Sequence, residues 1–300
     1  MLSLTILGNN SALPAFGRNP TAQWLQTSQE SILIDCGEGT QWQLSKYKLK
    51  PGKLTHIFIS HLHGDHYFGL IGLLTSMSLL NRSKPIHLYG PAQLQAIIQI
   101  QLDVAETTLS YPLHFHSLDT AGVIASTQSL EVSCFKVSHS IECWGFMFTE
   151  KKIKRSVDPE KARSYEIPAA YFEQLQQGKD YITKKGTIIP NAEVTTPTPA
   201  PKRYAYCADT RYNETLIEFI KDVDLLYHET TYLKDQEEKA AMRFHSTTLQ
   251  AAQLAKIANV KQLMIGHFSA KYESTDLFLV EAKSIFENTV LATEGSCFGL

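Results

Sequence analysis

The chain lacks most of the features that would assign it to a specialised class. It contains no apolar run of about eighteen residues, the length at which a stretch reads as a membrane-spanning helix, so none is expected. The apolar opening, Met1 to Leu7, has no basic region before it and no small-residue cleavage site after it. It reads as a first strand rather than a signal peptide. The five cysteines (Cys36, Cys134, Cys143, Cys207 and Cys297) are odd in number, widely scattered and form no CxxC pair. That argues against a disulfide framework or a thiolate metal site and fits a reducing, cytoplasmic setting. The net charge is only -2, so no global basic field announces a nucleic-acid partner, and any polyanion needs a local patch. Repeats and low-complexity tracts are absent. What remains is ordinary: 300 residues, 43% hydrophobic and 19% charged, suit a globular protein with a large core.

Short strand-like runs alternate with helical patterns. Leu2–Leu7, Ala22–Gln26 and Ser31–Asp35 read as strands, the last two joined by a turn at Ser28–Glu30. Thr55–Ser60 is mostly apolar and β-branched, which predicts a buried strand. A helix is expected from about Tyr67 to Leu80, a strand at Ile86–Tyr89, and a helix over Gln93–Gln101 behind Pro91. Leu130–Val137, Tyr204–Ala208, Leu225–Tyr227 and Gln262–Ile265 read as strands. Thr247–Ala258, capped by Ser246 or Thr247, and Thr275–Phe286 read as helices. Two such halves predict an α/β fold, a four-layer αββα sandwich, rather than two independent domains. Residues 150 to 200 break the pattern. Lys151–Arg163 holds four lysines and two arginines against Asp158 and Glu160, a balance of +4, and Thr195–Pro201 reads as an extended linker.

The densest chemistry is Ser60-His61-Leu62-His63-Gly64-Asp65-His66, directly after the predicted buried strand. Residues 61 and 63 of an extended strand end point to one side and can share a metal. Gly64 lets the chain turn, so Asp65 and His66 can face a second. Nitrogen and oxygen donors without thiolate suit zinc, with manganese or iron behind it. A solvent-exposed histidine loop is the alternative, and the position after a buried strand counts against it. Further ligands must come from elsewhere. His139, Asp209 and His267 each follow a predicted strand, and Asp209, with two oxygens, can bridge two cations. His56, His87, His114 and His116 read as structural or surface residues, and Cys207 as buried.

These residues resemble the metallo-β-lactamase superfamily and, more narrowly, the ribonuclease Z family. Asp35-Cys36-Gly37-Glu38-Gly39-Thr40-Gln41, the Ile59–Leu70 run, Ala208-Asp209-Thr210-Arg211, His228-Glu229-Thr230-Thr231, His245-Ser246-Thr247 and Gly266-His267-Phe268-Ser269-Ala270 carry the resemblance over nearly the whole chain. It implies two zinc ions per chain, with manganese as the other option: one held by His61, His63 and His139, one by Asp65, His66 and His267, with Asp209 shared. It implies removal of the 3′ trailer of precursor tRNA by water attack on phosphorus, leaving a 3′-hydroxyl. Asp65 would handle the proton of that water, His245 would serve the leaving oxygen and Glu229 would orient His245. It also implies a homodimer, no membrane contact, and an inserted arm that binds tRNA, here Lys151, Lys152, Lys154 and Arg155. Two departures stand out. Pro168-Ala169-Ala170 replaces the arm's Gly-Pro element, and Lys271 stands where arginine is usual. A phosphodiesterase for small or cyclic nucleotides, and a noncatalytic RNA-binding scaffold, are the competing expectations.

Overall fold

The apolar patterning resolves into two seven-stranded sheets in a computed structural model, which describes residues 2–151, 154–198 and 200–300. Their fourteen strands are β1 (Ser3–Gly8), β2 (Ala22–Gln26), β3 (Ser31–Cys36), β4 (Leu54–Phe58), β5 (Ile86–Gly90), β6 (Leu113–Ser117), β7 (Gly122–Ser126), β8 (Leu130–Lys136), β9 (Trp144–Glu150), β10 (Arg203–Cys207), β11 (Leu225–Glu229), β12 (Leu263–Gly266), β13 (Thr289–Leu291) and β14 (Cys297–Gly299). The first sheet runs β14-β1-β2-β3-β4-β5-β6 and the second β13-β12-β11-β10-β9-β8-β7. From β3 to β6, and from β10 to β13, neighbouring strands are parallel. A parallel strand covered on both faces is apolar on both, which is why β4 reads as an unbroken run. Ile57 faces the helices, whereas Phe58 faces the opposite sheet.

Three apolar layers follow. Leu4, Phe58, Phe146, Tyr206 and Met264 fill the space between the sheets. Helices α1 (Thr40–Lys46), α3 (Leu70–Leu79) and α4 (Gln93–Val104) cover the first sheet through Leu44, Leu73 and Ile98. Helices α5 (Thr248–Ile257) and α6 (Asp276–Ile285) cover the second through Leu254 and Phe278. This is the expected αββα sandwich. The Thr247 cap is also as expected: its side chain accepts from Gln250 N while Gln250 returns to the Thr247 amide, a full capping box.

The expected helix from Tyr67 to Leu80 is two helices. α2 (Gly64–Tyr67) ends at Phe68 and α3 starts at Leu70. Gly69 sits against the loop after β3: its amide donates to Cys36 O at 2.9 Å, and a Cβ there would lie 2.2 Å from Gly37 O. That close approach breaks the helix and separates α2, which carries Asp65 and His66, from α3.

Arg82 holds β4 from behind. Its guanidinium donates to the carbonyls of Lys84, Pro51, Gly52, Leu54 and Pro85 and is only 8% exposed. Arg82→Ala removes a donor from all five carbonyls, and the unfolding free energy should fall by about 3 kcal/mol. A denaturant titration with an unchanged m-value checks it; a loss under about 0.5 kcal/mol, the scale of a neutral surface change, would contradict it.

Contacts divide the chain into two units, Met1–Thr149 with Lys202–Leu300, and Glu150–Pro201. The second is more ordered than the expected excursion and linker. Ala162, Ile167, Leu175, Ile189 and Val194 form its own small core, and Thr195–Thr196 pairs with Ser156–Val157 as a two-stranded ribbon. Asp158 caps the helix Pro159–Ser164. Within this basic stretch, Lys154 pairs with Glu173 at 3.1 Å and Arg155 Nε donates to Thr195 Oγ1 at 2.7 Å. Lys152 lies outside the described residues.

Candidate metal centre

β4 ends at Phe58, and the next residues deliver the histidine cluster to the rim between the sheets. His139 follows β8, Asp209 follows β10 and His267 follows β12, so all three arrive from strand ends of the second sheet. The structure brings all seven expected ligands together. Donor atoms of His61, His63, His139 and Asp209 lie within 4.8 Å of one another, as do those of Asp65, His66 and His267. His139 Nε2 and His63 Nδ1 are 3.1 Å apart, and His66 Nε2 and His267 Nε2 are 3.3 Å apart. Asp209 faces both groups. Its Oδ2 lies 3.7 Å from His61 Nε2 and 3.9 Å from His139 Nε2, while its Oδ1 lies 3.4 Å from His66 Nε2 and 3.3 Å from His267 Nε2.

Hydrogen bonds at the back of four of the rings set which nitrogen faces inward. His66 Nδ1 is 2.7 Å from Asp35 Oδ2, His139 Nδ1 is 3.0 Å from Phe244 O, and His61 Nδ1 is 3.0 Å from Ser60 Oγ. His267 Nδ1 is 2.9 Å from Thr231 Oγ1, a hydroxyl that itself donates to Glu229 Oε2. Ser60 Oγ likewise donates to Asp35. In these four rings Nδ1–H has an acceptor behind it and Nε2 faces the centre, whereas His63 turns its Nδ1 inward. His61 Nε2 and Asp209 Oδ1 are buried without a hydrogen-bond partner. Buried polar atoms are seldom left so. Two inward-facing donor sets with unpaired atoms, joined by one carboxylate and made of imidazole and carboxylate only, fit a pair of borderline divalent cations.

Electrostatics agree. Burial alone would depress His66, but Asp209, Asp65 and Asp35 outweigh it and hold its pKa well above the usual histidine value. Burial opposes ionisation of Asp209, yet His267, His66 and His61 keep it well below the usual carboxylate range. Without cations, then, the carboxylates hold a proton on His66, and metal must displace it.

Beside these groups, His245 Nδ1 lies 3.0 Å from Glu229 Oε1. Glu229 is fully buried and also accepts from the amides of Thr210, Ser246 and Thr231. A carboxylate so anchored orients an imidazole rather than facing solvent. An open trough passes over the centre: one cavity of about 400 Å³ is lined by Asp65, Phe68 and His245, and one of about 530 Å³ by His139, Arg243 and His245.

Sequence reasoning missed the supporting residues. Asp35, at the end of β3, takes hydrogen bonds from Ser60 N, Ser60 Oγ and Tyr206 OH besides His66. Its place at a strand end was the available signal. Phe244 presents its carbonyl to His139 from a left-handed backbone at φ +58°, which no motif announces.

With this geometry in hand, similarity to known proteins decides the family. Residues 2–178 match the family model described as anti-Pycsar protein Apyc1. The chain is 47% identical to the ribonuclease Z of Cytophaga hutchinsonii, the match covering 98% of this chain and 95% of that one. It is 40% identical to the ribonuclease Z of Bacteroides fragilis strain YCH46, over 99% of this chain and 98% of that one. The chain belongs to the ribonuclease Z family. Among solved structures it is similar to the short form of human tRNase Z, with a TM-score of 0.73 and 27% identity over 99% of this chain and 98% of that one. The Apyc1 match reaches the His61–His66 cluster and His139, whereas the ribonuclease Z matches also span Asp209, His245 and His267. It is in that second half that Asp209 and the His245–Glu229 pair lie.

Proposed function

We propose that this chain is a metal-dependent endoribonuclease that removes the 3′ trailer from precursor tRNA and leaves a 3′-hydroxyl. The observation that carries the reading is Asp209, whose two oxygens each face a separate group of imidazoles beside the His245–Glu229 pair. The full-length kinship to ribonuclease Z supplies the substrate. The presence of every ligand counts against a noncatalytic scaffold.

His61, His63, His139 and Asp209 would hold one ion, and Asp65, His66, His267 and Asp209 the other. We take both to be zinc, with manganese able to occupy the same donors. Bound there, the pair would supply a water acidic enough to act near neutral pH and would neutralise charge on the phosphate oxygens. The chain's own residues do the rest. Asp65 Oδ2 is held by the Ala12 amide at 2.7 Å, so one carboxylate lobe is fixed in place to accept or orient a proton in the trough. His245 presents its ring from the far side, its Nδ1–H tied to Glu229, and passes a proton to the departing ribose oxygen. Phe68 is 63% exposed at the rim, and a splayed base can stack on it. Phe68→Ala should raise KM for precursor tRNA roughly tenfold, the scale of one lost stack, with little change in kcat.

The Glu150–Pro201 unit is the arm. Lys151, Lys152 and Lys154 would meet tRNA phosphates, whereas Arg155 is engaged by Thr195 and helps hold the unit together. Replacing residues 151–200 with a short Gly-Ser linker should lower kcat/KM for precursor tRNA by at least about tenfold and flatten its salt dependence. Turnover of a small chromogenic phosphodiester should stay intact; equal losses on both substrates would remove the arm's role. We also propose a homodimer. α1 and α3 lie side by side through Gln41, which donates to Gly72 O and Ser76 Oγ, and each helix carries a large exposed apolar side chain, Trp42 at 81% on α1 and Leu79 at 83% on α3. Among the described residues no helix is long and apolar enough to cross a membrane. A cytoplasmic address accords with five unpaired cysteines.

The test of the reading is a labelled precursor tRNA incubated with the purified protein, with and without chelator, and mapping of the cut. One cut at the 3′ side of the acceptor stem, lost with chelator, is expected. No cut, or one insensitive to chelator, contradicts it.

A further inference from the structure

Away from the centre the molecule gathers a second set of imidazoles, on residues the sequence reads as structural. β4, β5 and β6 are parallel neighbours, and their register sets His56 beside His87 and His87 beside His114. His116 follows on the same face of β6, because side chains two apart on a strand share a side. Ring centroids are 5.1 Å apart for His56–His87 and for His87–His114, and 5.3 Å for His87–His116. Tyr89 stacks on His116 at 4.4 Å. Within this ladder His87 Nδ1 and His116 Nε2 point at each other across 3.0 Å.

That spacing has a chemical meaning. Metal–nitrogen bonds of about 2.0–2.1 Å place two neighbouring imidazole nitrogens about 2.9 Å apart at a right angle and about 3.3 Å apart at the tetrahedral angle. The imidazole pairs of the catalytic centre show the same separation, 3.1 and 3.3 Å. We propose that His87 and His116 form a separate binding site for one late first-row transition-metal dication, copper(II) before nickel(II) or zinc(II), with water completing its coordination. Copper leads because imidazole nitrogens follow the general affinity order of the divalent series.

Three further observations fit. Both rings are half-buried, so solvent ions reach them while much of the surrounding shell is protein. Burial, and then the neighbouring imidazoles, lower the pKa of each, which keeps the lone pairs free near neutral pH. Their planes are braced, His87 between His56 and His114 and His116 against Tyr89, so little ordering remains for the ion to impose. β6 is the terminal strand of its sheet, and an ion held by both rings clips it to β5. The competing reading of the 3.0 Å contact is a neutral N–H···N hydrogen bond.

The two readings separate in one experiment. Protein with its catalytic ions in place is dialysed against micromolar Cu²⁺, and bound copper and retained catalytic metal are measured together with the electron paramagnetic resonance spectrum. One copper per chain should bind without loss of the catalytic metal, show superhyperfine coupling to two nitrogens, and raise Tm. His116→Gln should weaken copper binding at least tenfold while copper-free precursor cleavage stays at the wild-type rate, which shows that the variant folds. Three results would overturn the proposal: no copper beyond what displaces catalytic metal, coupling to fewer than two nitrogens, or undiminished copper uptake by the His87→Gln/His116→Gln double variant.

Discussion

Asp209→Ala should abolish precursor cleavage and empty both metal positions at once. Asp209 is 2% exposed and, among the described residues, is the one side chain whose two oxygens face both donor groups. Removing it leaves the imidazoles of His61, His66, His139 and His267 around a buried space with no bridging anion. Cations placed there lose their shared counter-charge, and kcat/KM should fall by at least about 10⁴-fold, the scale seen when groups that act as a unit are broken. Asp65→Ala should cost as much turnover but retain the ion of the His61–His63–His139 group. Metal analysis of the two purified variants distinguishes them, and full occupancy in Asp209→Ala would refute the bridging role. Metal uptake should also release protons and weaken as the pH falls. Asp209, Asp65 and Asp35 hold a proton on His66 against the pull of burial, and an incoming ion must replace it.

The second large effect is at His245. Burial pulls its pKa down, but Glu229, and then Asp209 and Asp65, raise it to about 9. The sign follows: the imidazolium is present below that value and lost above it, so proton donation fails on the alkaline side. The Glu229–His245 attraction likewise contributes stability in full below the unfolded value of about 6.5 and loses it as pH rises through the folded one. Cations beside Asp209 and Asp65 offset part of the raising charge, so in the loaded enzyme the alkaline limb should fall between about 6.5 and 9. His245→Ala should lower kcat roughly 10²- to 10⁴-fold with metal content unchanged. Glu229→Gln should keep some activity and move the alkaline limb to lower pH, because it removes the largest raising influence. A limb that stays put in Glu229→Gln, or a His245→Ala enzyme that loses its metal, would remove the proton-donor role.

Which parts of this were legible in the sequence follows from range. The His61–His66 cluster is local, so strand period and a glycine turn place its ligands. His139, Asp209 and His267 are remote from one another in sequence but share a rule, the C-terminal end of a strand, and that rule found them. Asp35 obeys the same rule and was read only as part of a motif, because nothing local says that its oxygens turn toward His66. Thr231 and the Phe244 carbonyl act through backbone placement, which composition does not encode. The Gly69 break in the expected helix comes from contact with the loop after β3, a tertiary effect. The histidine ladder was invisible for a related reason. Leu113–Ser117 was not read as a strand, and without its register His116 has no neighbour.

The central claim is most directly tested by anomalous diffraction at the metal absorption edges from crystals of the protein as purified. Two peaks per chain should flank Asp209, one against His61, His63 and His139, the other against Asp65, His66 and His267. A single peak, or peaks that Asp209 does not touch, would contradict the account.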